Sequence, residues 1–457
     1  MIKTDTIVAV ATPQGMGALG VIRLSGAASF SICEKVFRGK SLSQQASHTV
    51  HYGYIYENEE LIDEVMVSLF KAPKSFTTED VIEITCHGST YIVQRVLQAL
   101  LNQGARLADA GEFTMRAFLH GRIDLAQAEA VADLIASESA MQHSIALDQM
   151  RGGFSNQLKA LREELINFAA LIELELDFSE EDVEFANRND LKILVEKIKL
   201  KVEELLSSFK LGNAIKNGIP VAIVGKPNAG KSTLLNTLLN DERAIVSEIA
   251  GTTRDTIEEI LIIEGIQFRL IDTAGIRTTT DTIEAIGVAK ALEKIGQASI
   301  LIYLFDINDT TLEEVQTAVK SHTRADLRII LCPTKIDLYA PEAWENWRAA
   351  LKPLADAVIG ISAKEAMNIS LLKQEMFATV SHINTQQAIV TNARHYESLL
   401  RANQSLDEIL TSIDHQLTQE LISLDLRTAL SHLGSITGAV DNEEVLGAIF
   451  GKFCIGK

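Results

Sequence analysis

The spacing of apolar positions along this chain changes character three times. Up to about residue 118, short apolar runs alternate with turn residues. TIVAVATPQGMGALGVIRLSG, LIDEVMVSLF and DVIEITCHG read as strands, and YIVQRVLQALLNQG reads as a helix ending at Gly104. This mixture predicts an α+β domain over 1–118. Over 119–215 the period becomes helical: Leu158, Leu161, Leu165, Phe168 and Ile172 recur at three and four residues, as do Leu191, Leu194, Ile198, Val202, Leu205 and Phe209. The segment GNAIKNGIP is expected to be a loop that breaks these helices. Over 216–380 strand and helix alternate, and the apolar runs PVAIVG, FRLID, SILIYLFD, RIILCPTKID and AVIGISAK each end in polar residues. Buried parallel strands look like this when their carboxyl ends carry a site. Over 381–457 the helical period returns at Leu399, Leu406, Ile409, Ile413 and Leu417, then at Leu421, Leu424 and Leu430. One helical domain, split by an inserted α/β domain, accounts for both helical stretches; two separate bundles are the alternative.

Composition narrows the functions available. A net charge of -19 argues against a chain that coats nucleic acid along its length, because phosphate binding needs Lys and Arg. Cys33, Cys86, Cys332 and Cys454 are scattered with no C-x-x-C pair, which points away from zinc and from a disulfide framework. The N-terminus lacks a basic segment followed by a long apolar run, and no stretch reaches the roughly 18 apolar residues of a membrane span. The expectation is a soluble, cytoplasmic protein. The terminal CIGK fits a prenylation signal badly and is rejected as one.

The inserted segment carries phosphate chemistry. Gly225-Lys226-Pro227-Asn228-Ala229-Gly230-Lys231-Ser232 matches G-x-x-x-x-G-K-[ST], follows a strand, and opens the helix KSTLLNTLLN that continues through Thr233. Backbone N–H groups of such a loop curl around phosphates, and the helix N-terminus adds a positive dipole end. Lys231 would reach the β- and γ-phosphates and Ser232 would hold Mg²⁺. Asp272-Thr273-Ala274-Gly275 follows FRLI; Asp272 would act through the Mg²⁺ shell and the Gly275 N–H would meet the γ-phosphate. Between them, Gly251-Thr252-Thr253-Arg254-Asp255 reads as a first switch loop with Thr253 as a second Mg²⁺ ligand, or as an ordinary polar turn. Thr334-Lys335-Ile336-Asp337 follows a strand, and the Asp337 carboxylate can accept from guanine N1 and N2, which adenine does not offer. The usual first residue of that motif is Asn, so Thr334 shortens one hydrogen-bonding side chain. Ser362-Ala363-Lys364 would supply backbone contacts to guanine O6.

Many small GTPases place Gln after this DTAG motif to orient the attacking water. Here the residue is Ile276, which neither accepts nor donates. Asn228 has an oxygen that could hold a monovalent cation against the phosphates, a substitute for an arginine finger worth ~10³-fold or more. Glu284 could orient water through a second water; from its spacing alone a solvated helix carboxylate is the favoured reading.

In their order, GKPNAGKST, IAGTTRD, DTAGI and TKID resemble the TrmE-Era-Septin type of potassium-activated P-loop GTPases. The opening DTIVAVATPQGMGALGVIRLSG, the segments EDVIEITCHG and GEFTMRAFLHGRIDLAQAEAVADLI, and the terminal FCIGK are similar, over the whole chain, to the MnmE (TrmE) family of tRNA modification GTPases. The resemblance implies a multidomain fold: an N-terminal α+β folate-binding domain, a discontinuous all-α domain, and an inserted α/β P-loop GTPase domain. It implies a homodimer formed through the N-terminal domains. It also implies a flavin-dependent partner, MnmG (GidA), in a heterotetramer or larger complex with tRNA as substrate. The implied reaction adds an aminomethyl or carboxymethylaminomethyl group to C5 of the wobble uridine. A tetrahydrofolate derivative, 5-formyl- or 5,10-methylene-tetrahydrofolate, would be the one-carbon donor, and GTP hydrolysis would need K⁺ and Mg²⁺. Position by position, the implied K⁺ ligands are Asn228, Ser247, Ile249 and Thr252, the last three in a loop, Ser247-Glu248-Ile249-Ala250-Gly251-Thr252-Thr253, that also lines GTP. Glu284 becomes the water-positioning carboxylate beside Lys231 and Asn228. The implied folate contacts are Arg23, Glu83, Arg122 and Lys457; Arg122 keeps the charge of the family's frequent Lys with a different geometry. Cys454, near that terminus, is a candidate thiol nucleophile or a buried structural cysteine. A GTP-driven ribosome or membrane assembly factor is the competing reading, and would call for an RNA-binding module such as a KH domain, whose GXXG clamp is not found here. A folate-binding scaffold with an inactive GTPase domain fails on the intact phosphate and Mg²⁺ residues.

Overall fold

The computed structural model describes residues 5–177, 187–240, 258–272, 296, 298–324, 327–379, 389–439, 443–451, 453 and 456. The described elements, in chain order, are β1 (Ile7–Val10), β2 (Leu19–Ser25), α1 (Ser29–Val36), β3 (Phe37–Arg38), β4 (Thr49–Glu57), β5 (Glu60–Phe70), β6 (Val81–His87), α2 (Thr90–Asn102), β7 (Arg106–Leu107), α3 (Glu112–Leu119), α4 (Leu125–Ile135), α5 (Ala140–Met150), α6 (Gly153–Asp177) and α7 (Arg188–Asn217). They continue with β8 (Ile219–Gly225), α8 (Lys231–Asn240), β9 (Glu258–Ile263), β10 (Ile266–Asp272), β11 (Ile300–Asp306), α9 (Leu312–His322), β12 (Arg328–Thr334), α10 (Pro341–Leu351), β13 (Ala357–Val358), α11 (Ile369–Ala378), α12 (Ala393–Asp414), α13 (Gln419–Thr437) and α14 (Glu443–Phe450). Two compact units divide the chain: 1–135, 147–198 and 401–457 form one, 136–146 and 199–400 the other.

In the first unit a seven-stranded sheet runs in the order β3-β4-β5-β6-β2-β1-β7. Alternation along β6, with Ile82 and Ile84 buried, sends one face against α1 and α2, where Val96, Ala99 and Leu100 complete the core. The strand β4 escaped the sequence reading because its apolar and aromatic residues are mostly on the wetter side, with Val50 and Tyr52 exposed. Beyond β1 a smaller cluster gathers Ile7, Ala9, Ala108 and Phe113, with Phe76 packed on it. The long helix α6 packs beside α13, tied by Arg427 to Glu173 at 2.9 Å and by Gln419 to Glu175 at 2.9 Å. The helix α14 closes on α3 and α4 through Leu446 and Phe450 against Leu125 and Ala128.

The helical period of the last segment needs one correction. Leu421 and Leu424 are exposed, and Leu417, exposed too, lies past the end of α12. Ile422, Leu426, Ala429 and Leu433 are the buried positions, a stripe at four, three and four residues that places Leu421 and Leu424 on the far side of α13. A second correction concerns GNAIKNGIP. It is not a helix-breaking loop: α7 continues through Asn217 and stops at Gly218, whose φ of +74° ends it. Gly212 stays inside this helix because the backbone of Val390 crosses it. A Cβ there would lie 2.1 Å from the Val390 carbonyl oxygen.

In the second unit six strands run in the order β13-β12-β11-β8-β10-β9, all parallel except the β9–β10 pair. Every residue of β11 is buried, as expected for a strand covered on both faces. Leu234, Leu238, Leu372 and Met376 cover one face, and Val315, Val319 and Leu351 the other. The start of α5 joins this unit through Gln142, whose amide donates to Gln267 Oε1 at 2.6 Å and to Ile215 O at 3.0 Å. Among the described residues no helix is long and apolar enough to cross a membrane.

The close approach at Gly212 yields a prediction. Gly212→Ala forces backbone apart in a region with no room to give, so the thermal midpoint of the second unit should fall, by an amount equivalent to about 1–3 kcal/mol. Differential scanning calorimetry reads it; an unchanged midpoint would show that the crossing of Val390 relaxes freely.

Candidate functional site

The register of the second sheet assembles the candidate nucleotide site. Leu304 of β11 pairs with Gly225 of β8, Asp306 of β11 with Thr334 of β12, and Asp272 of β10 with Ile223 of β8. The phosphate loop, the Thr334–Asp337 motif and the start of the Asp272–Gly275 motif therefore leave one edge together. At Gly225 a Cβ would lie 2.2 Å from the Leu304 carbonyl oxygen, so only glycine lets β8 and β11 stay paired where the loop departs. The loop then turns at Asn228, with φ of +63°, and at Gly230, with φ of +91°. Leu234 and Leu238 anchor α8 in the core and fix the aim of its N-terminus. Ser232 and Thr233, in its first turn, and Asn228 are exposed, while Ala229 is buried. Lys231 Nζ donates to Gly225 O at 2.7 Å and to Lys226 O at 2.9 Å, which holds the ammonium over the loop. Lys226 reaches outward to Glu314 Oε2 at 2.9 Å, and Glu314 completes the capping box of α9 with Thr311.

On the guanine side, Lys335 sits in the left-handed region, φ +59°, and Asp337 is exposed in the 3₁₀ turn Ile336–Leu338. Thr334 is buried and its hydroxyl donates to Phe305 O at 3.2 Å, so the short side chain ties the motif to β11. Asp306 does more, and the sequence reading missed it. Its carboxylate takes Lys335 Nζ at 2.8 Å, the Asn308 N–H at 3.0 Å, and the Tyr339 hydroxyl. Burial alone would push the Asp306 carboxyl up; Lys335 and Tyr339 outweigh it and hold it below its ordinary value. Asp306 in turn raises Lys335, and burial together with Asp306 raises the Tyr339 phenol. The only sequence signal was the position of Asp306 at the polar end of SILIYLFD. The Ser362–Lys364 turn closes the same corner: the Ile336 N–H donates to Ile361 O at 3.3 Å, and Thr237 of α8 donates to Ala363 O at 2.9 Å. Lys364 points outward, paired only loosely with Glu365 at 3.8 Å. Ser247, Glu248, Ile249, Ala250, Gly251, Thr252, Thr253, Thr273, Ala274, Gly275, Ile276 and Glu284 lie outside the described residues.

The first unit holds the second candidate site. Arg23 on β2 and Glu83 on β6 are paired by strand register, and Arg23 Nε meets Glu83 Oε1 at 2.8 Å. Arg23 also donates through Nη1 to the Gly456 carbonyl at 3.2 Å and lies 5.7 Å from the centre of the Phe113 ring. Gly456 thus lies beside the N-terminal sheet at the Arg23–Glu83 pair. Phe113 is aimed by a buried ionic network: Arg116, one turn along α3, bonds Glu112 at 3.0 Å, Asp5 at 2.9 Å and Glu79 at 3.1 Å. Burial would raise the Glu112 carboxyl, but Arg106, the Asp109 N–H and Arg116 hold it low. Arg122, on the turn after α3, stacks over Phe76 at 5.5 Å. Cys454 and Lys457 lie outside the described residues. Cys33 and Cys86 are buried, and burial pushes their thiols up to about 12 and about 11, which makes both poor nucleophiles.

The Asp306 cluster gives a pH prediction. A carboxyl depressed in the folded state contributes stability that is complete above its unfolded pKa of roughly 4 and is lost as pH falls through the folded value. Asp306→Asn should therefore lower the unfolding temperature at neutral pH, and the gap to the parent should narrow progressively as pH falls below about 4. A gap of the same size at pH 7 and pH 3 would show that the charge of Asp306 contributes nothing.

The family model described as the MnmE helical domain matches residues 125–454, and that described as the GTP-binding protein TrmE N-terminus matches residues 6–122. The tRNA modification GTPase MnmE of Cytophaga hutchinsonii is 54% identical over 456 residues, which cover 99% of this chain and 98% of that protein. The protein of the same name from Flavobacterium johnsoniae is 52% identical over 100% of both chains, and that from Bacteroides thetaiotaomicron is 49% identical over 99% of both.

Proposed function

The chain belongs to the MnmE family of tRNA modification GTPases, and we propose that it uses K⁺-dependent GTP hydrolysis to drive a folate-dependent modification of the wobble uridine. It is a GTP hydrolase acting in tRNA modification. The observation that carries the mechanism is the shared edge of the parallel strands β8, β11 and β12: Lys231 and Ser232 open the helix that follows β8, and Asp337 stands in the turn that follows β12. The phosphate-loop residues from Asn228 to Thr233 cradle the nucleotide phosphates. Asp337 accepts from guanine, with Thr334 and Lys335 shaping the base site and Ser362, Ala363 and Lys364 closing it. Mg²⁺ fits Ser232, exposed in the first turn of α8, with Thr253 as its second ligand and Asp272 in its outer shell. K⁺ fits the exposed Asn228 oxygen, with Ser247, Ile249 and Thr252 completing its shell; when bound it supplies positive charge where an arginine finger would otherwise act. Glu284 positions the attacking water in place of the Gln that Ile276 replaces.

The one-carbon donor, a tetrahydrofolate derivative, fits the Arg23–Glu83 pair. Both side chains are about a quarter exposed, so the pair can meet a polar heterocycle edge. Arg122 and Lys457 are its further cationic contacts, and Cys454 is the candidate thiol. The chain works as a homodimer through residues 1–118, with 119–215 and 381–457 as the helical part and 216–380 as the GTPase part. The flavin-dependent MnmG supplies the redox chemistry, and the pair installs an aminomethyl or carboxymethylaminomethyl group at C5. The strongly acidic chain leaves much of the tRNA grip to that partner. On this reading the chain works in the cytoplasm.

Three outcomes test the nucleotide mechanism. GTP turnover in KCl should exceed that in NaCl, by up to roughly 10³-fold if K⁺ replaces an arginine finger; equal rates would remove the cation from the mechanism. Glu284→Ala should lose about 10²-fold or more in turnover while a fluorescent GTP analogue still binds; unaltered turnover would return Glu284 to a solvated helix face. Asp337→Asn should shift preference from GTP toward xanthosine triphosphate in competition binding; unchanged discrimination would refute its guanine contact.

A further inference from the structure

The turn that carries Asp337 is held on both sides by one carboxylate from a neighbouring strand. Thr334, the last residue of β12, pairs in register with Asp306, the last residue of β11. Three side-chain bonds then tie the turn to that end of β11. The Thr334 hydroxyl donates to Phe305 O at 3.2 Å, Lys335 Nζ donates to Asp306 Oδ2 at 2.8 Å, and the Tyr339 hydroxyl donates to Asp306 Oδ1. The two oxygens of Asp306 therefore hold residues 335 and 339, and Asp337 stands midway between these anchors. Asp306 is itself fixed, because β11 is buried along its whole length and the Asn308 N–H donates to Oδ1 at 3.0 Å.

The tip of the turn needs such a hold. None of the three residues of the 3₁₀ turn Ile336–Leu338 is buried, and Leu338 is 71% exposed. Lys335 enters the turn with φ of +59°, a conformation that works against a residue with a Cβ. Burial does not aim the Asp337 carboxylate; the path of the backbone does. Thr334 ties that path at its first residue, and the hold on the later residues falls to Asp306. We propose that Asp306 and Tyr339, which lie outside the sequence motifs, are positioning residues for guanine. They keep Asp337 where both of its oxygens meet the base, one at N1–H and one at the 2-amino group. The preference for guanine over purines that lack the 2-amino group then depends on them. The proposal rests on the reading of Asp337 as the guanine contact. A brace that served the fold alone would change the amount of folded protein and leave the base preference of the folded molecules as it was.

The test is competition binding of GDP and inosine diphosphate to the full chain; hypoxanthine keeps N1–H and lacks the 2-amino group. The ratio of the two affinities is taken within one sample, so a loss of folded protein cancels. Asp306→Asn should cut the GDP preference by about fivefold and Tyr339→Phe by about twofold, the size of a weakened hydrogen bond to a charged group. Once Asp337→Ala has removed the contact, adding either substitution should change the ratio no further. Where Asp306→Asn fails to fold, Tyr339→Phe, which removes a single hydroxyl, carries the same test. An Asp337→Ala chain with the parent's GDP preference would overturn the guanine reading and the proposal with it. If Asp337→Ala loses the preference, an undiminished ratio in Asp306→Asn or in Tyr339→Phe would overturn the proposal alone. So would a full additional loss when either is combined with Asp337→Ala.

Discussion

The GTPase half of this protein depends on how closely β8 and β11 approach each other. With Gly225 pressed against the Leu304 carbonyl, two parallel strands stay paired up to the residue where the phosphate loop begins. One strand further on, the same register sets Asp306 beside Thr334. The glycine-rich loop, the Thr334–Asp337 turn and the strand ending at Asp272 then rise from one edge, while the apolar side chains of α8, α9, α10 and α11 fill both faces below. Moving one strand by a residue would send its side chains to the opposite face, away from their packing partners, and separate those loops at once. Site geometry and core packing are here the same constraint.

The first unit solves a different problem. Its site rests on an antiparallel register, Arg23 opposite Glu83, and on a terminus that comes back from the far end of the sequence. Arg116 explains why the return works. It is almost fully buried and joins Glu112, Asp5 and Glu79, so α3 is clamped to the start of β1. Removing Arg116 would take a cation from Asp5, Glu79 and the buried Glu112 at once, leaving Arg106 beside Glu112 and Asp5. The clamp holds Phe113 under Arg23 and gives α14 a fixed surface to close on.

Much of this was legible in the sequence because the decisive signals are local. A glycine-rich loop between a strand and a helix, four motifs in order, and apolar runs ending in polar residues all announce themselves within a few positions. What was not legible depends on distant partners. Asp306 looked like a strand terminus until Lys335 and Tyr339 were seen on it. Gly212 looked like a breaker because its reason for being glycine, the Val390 backbone, lies far along the chain. Leu421 and Leu424 looked like core because periodicity tells which residues share a face, and not which face is covered. The aromatic pair Phe76 and Phe113, on which both arginines stack, carries no motif at all.

The central claim is that the GTPase half and the Arg23–Glu83 half serve one modification of tRNA. Mass analysis of wobble uridine tests it most directly, after reaction of tRNA with this chain, the flavin-dependent partner, a reduced folate, GTP and K⁺. The account predicts a new group at C5 that disappears when GTP is withheld and when Arg23→Ala replaces the parent chain. Full modification without GTP, or undiminished modification by Arg23→Ala, would contradict it.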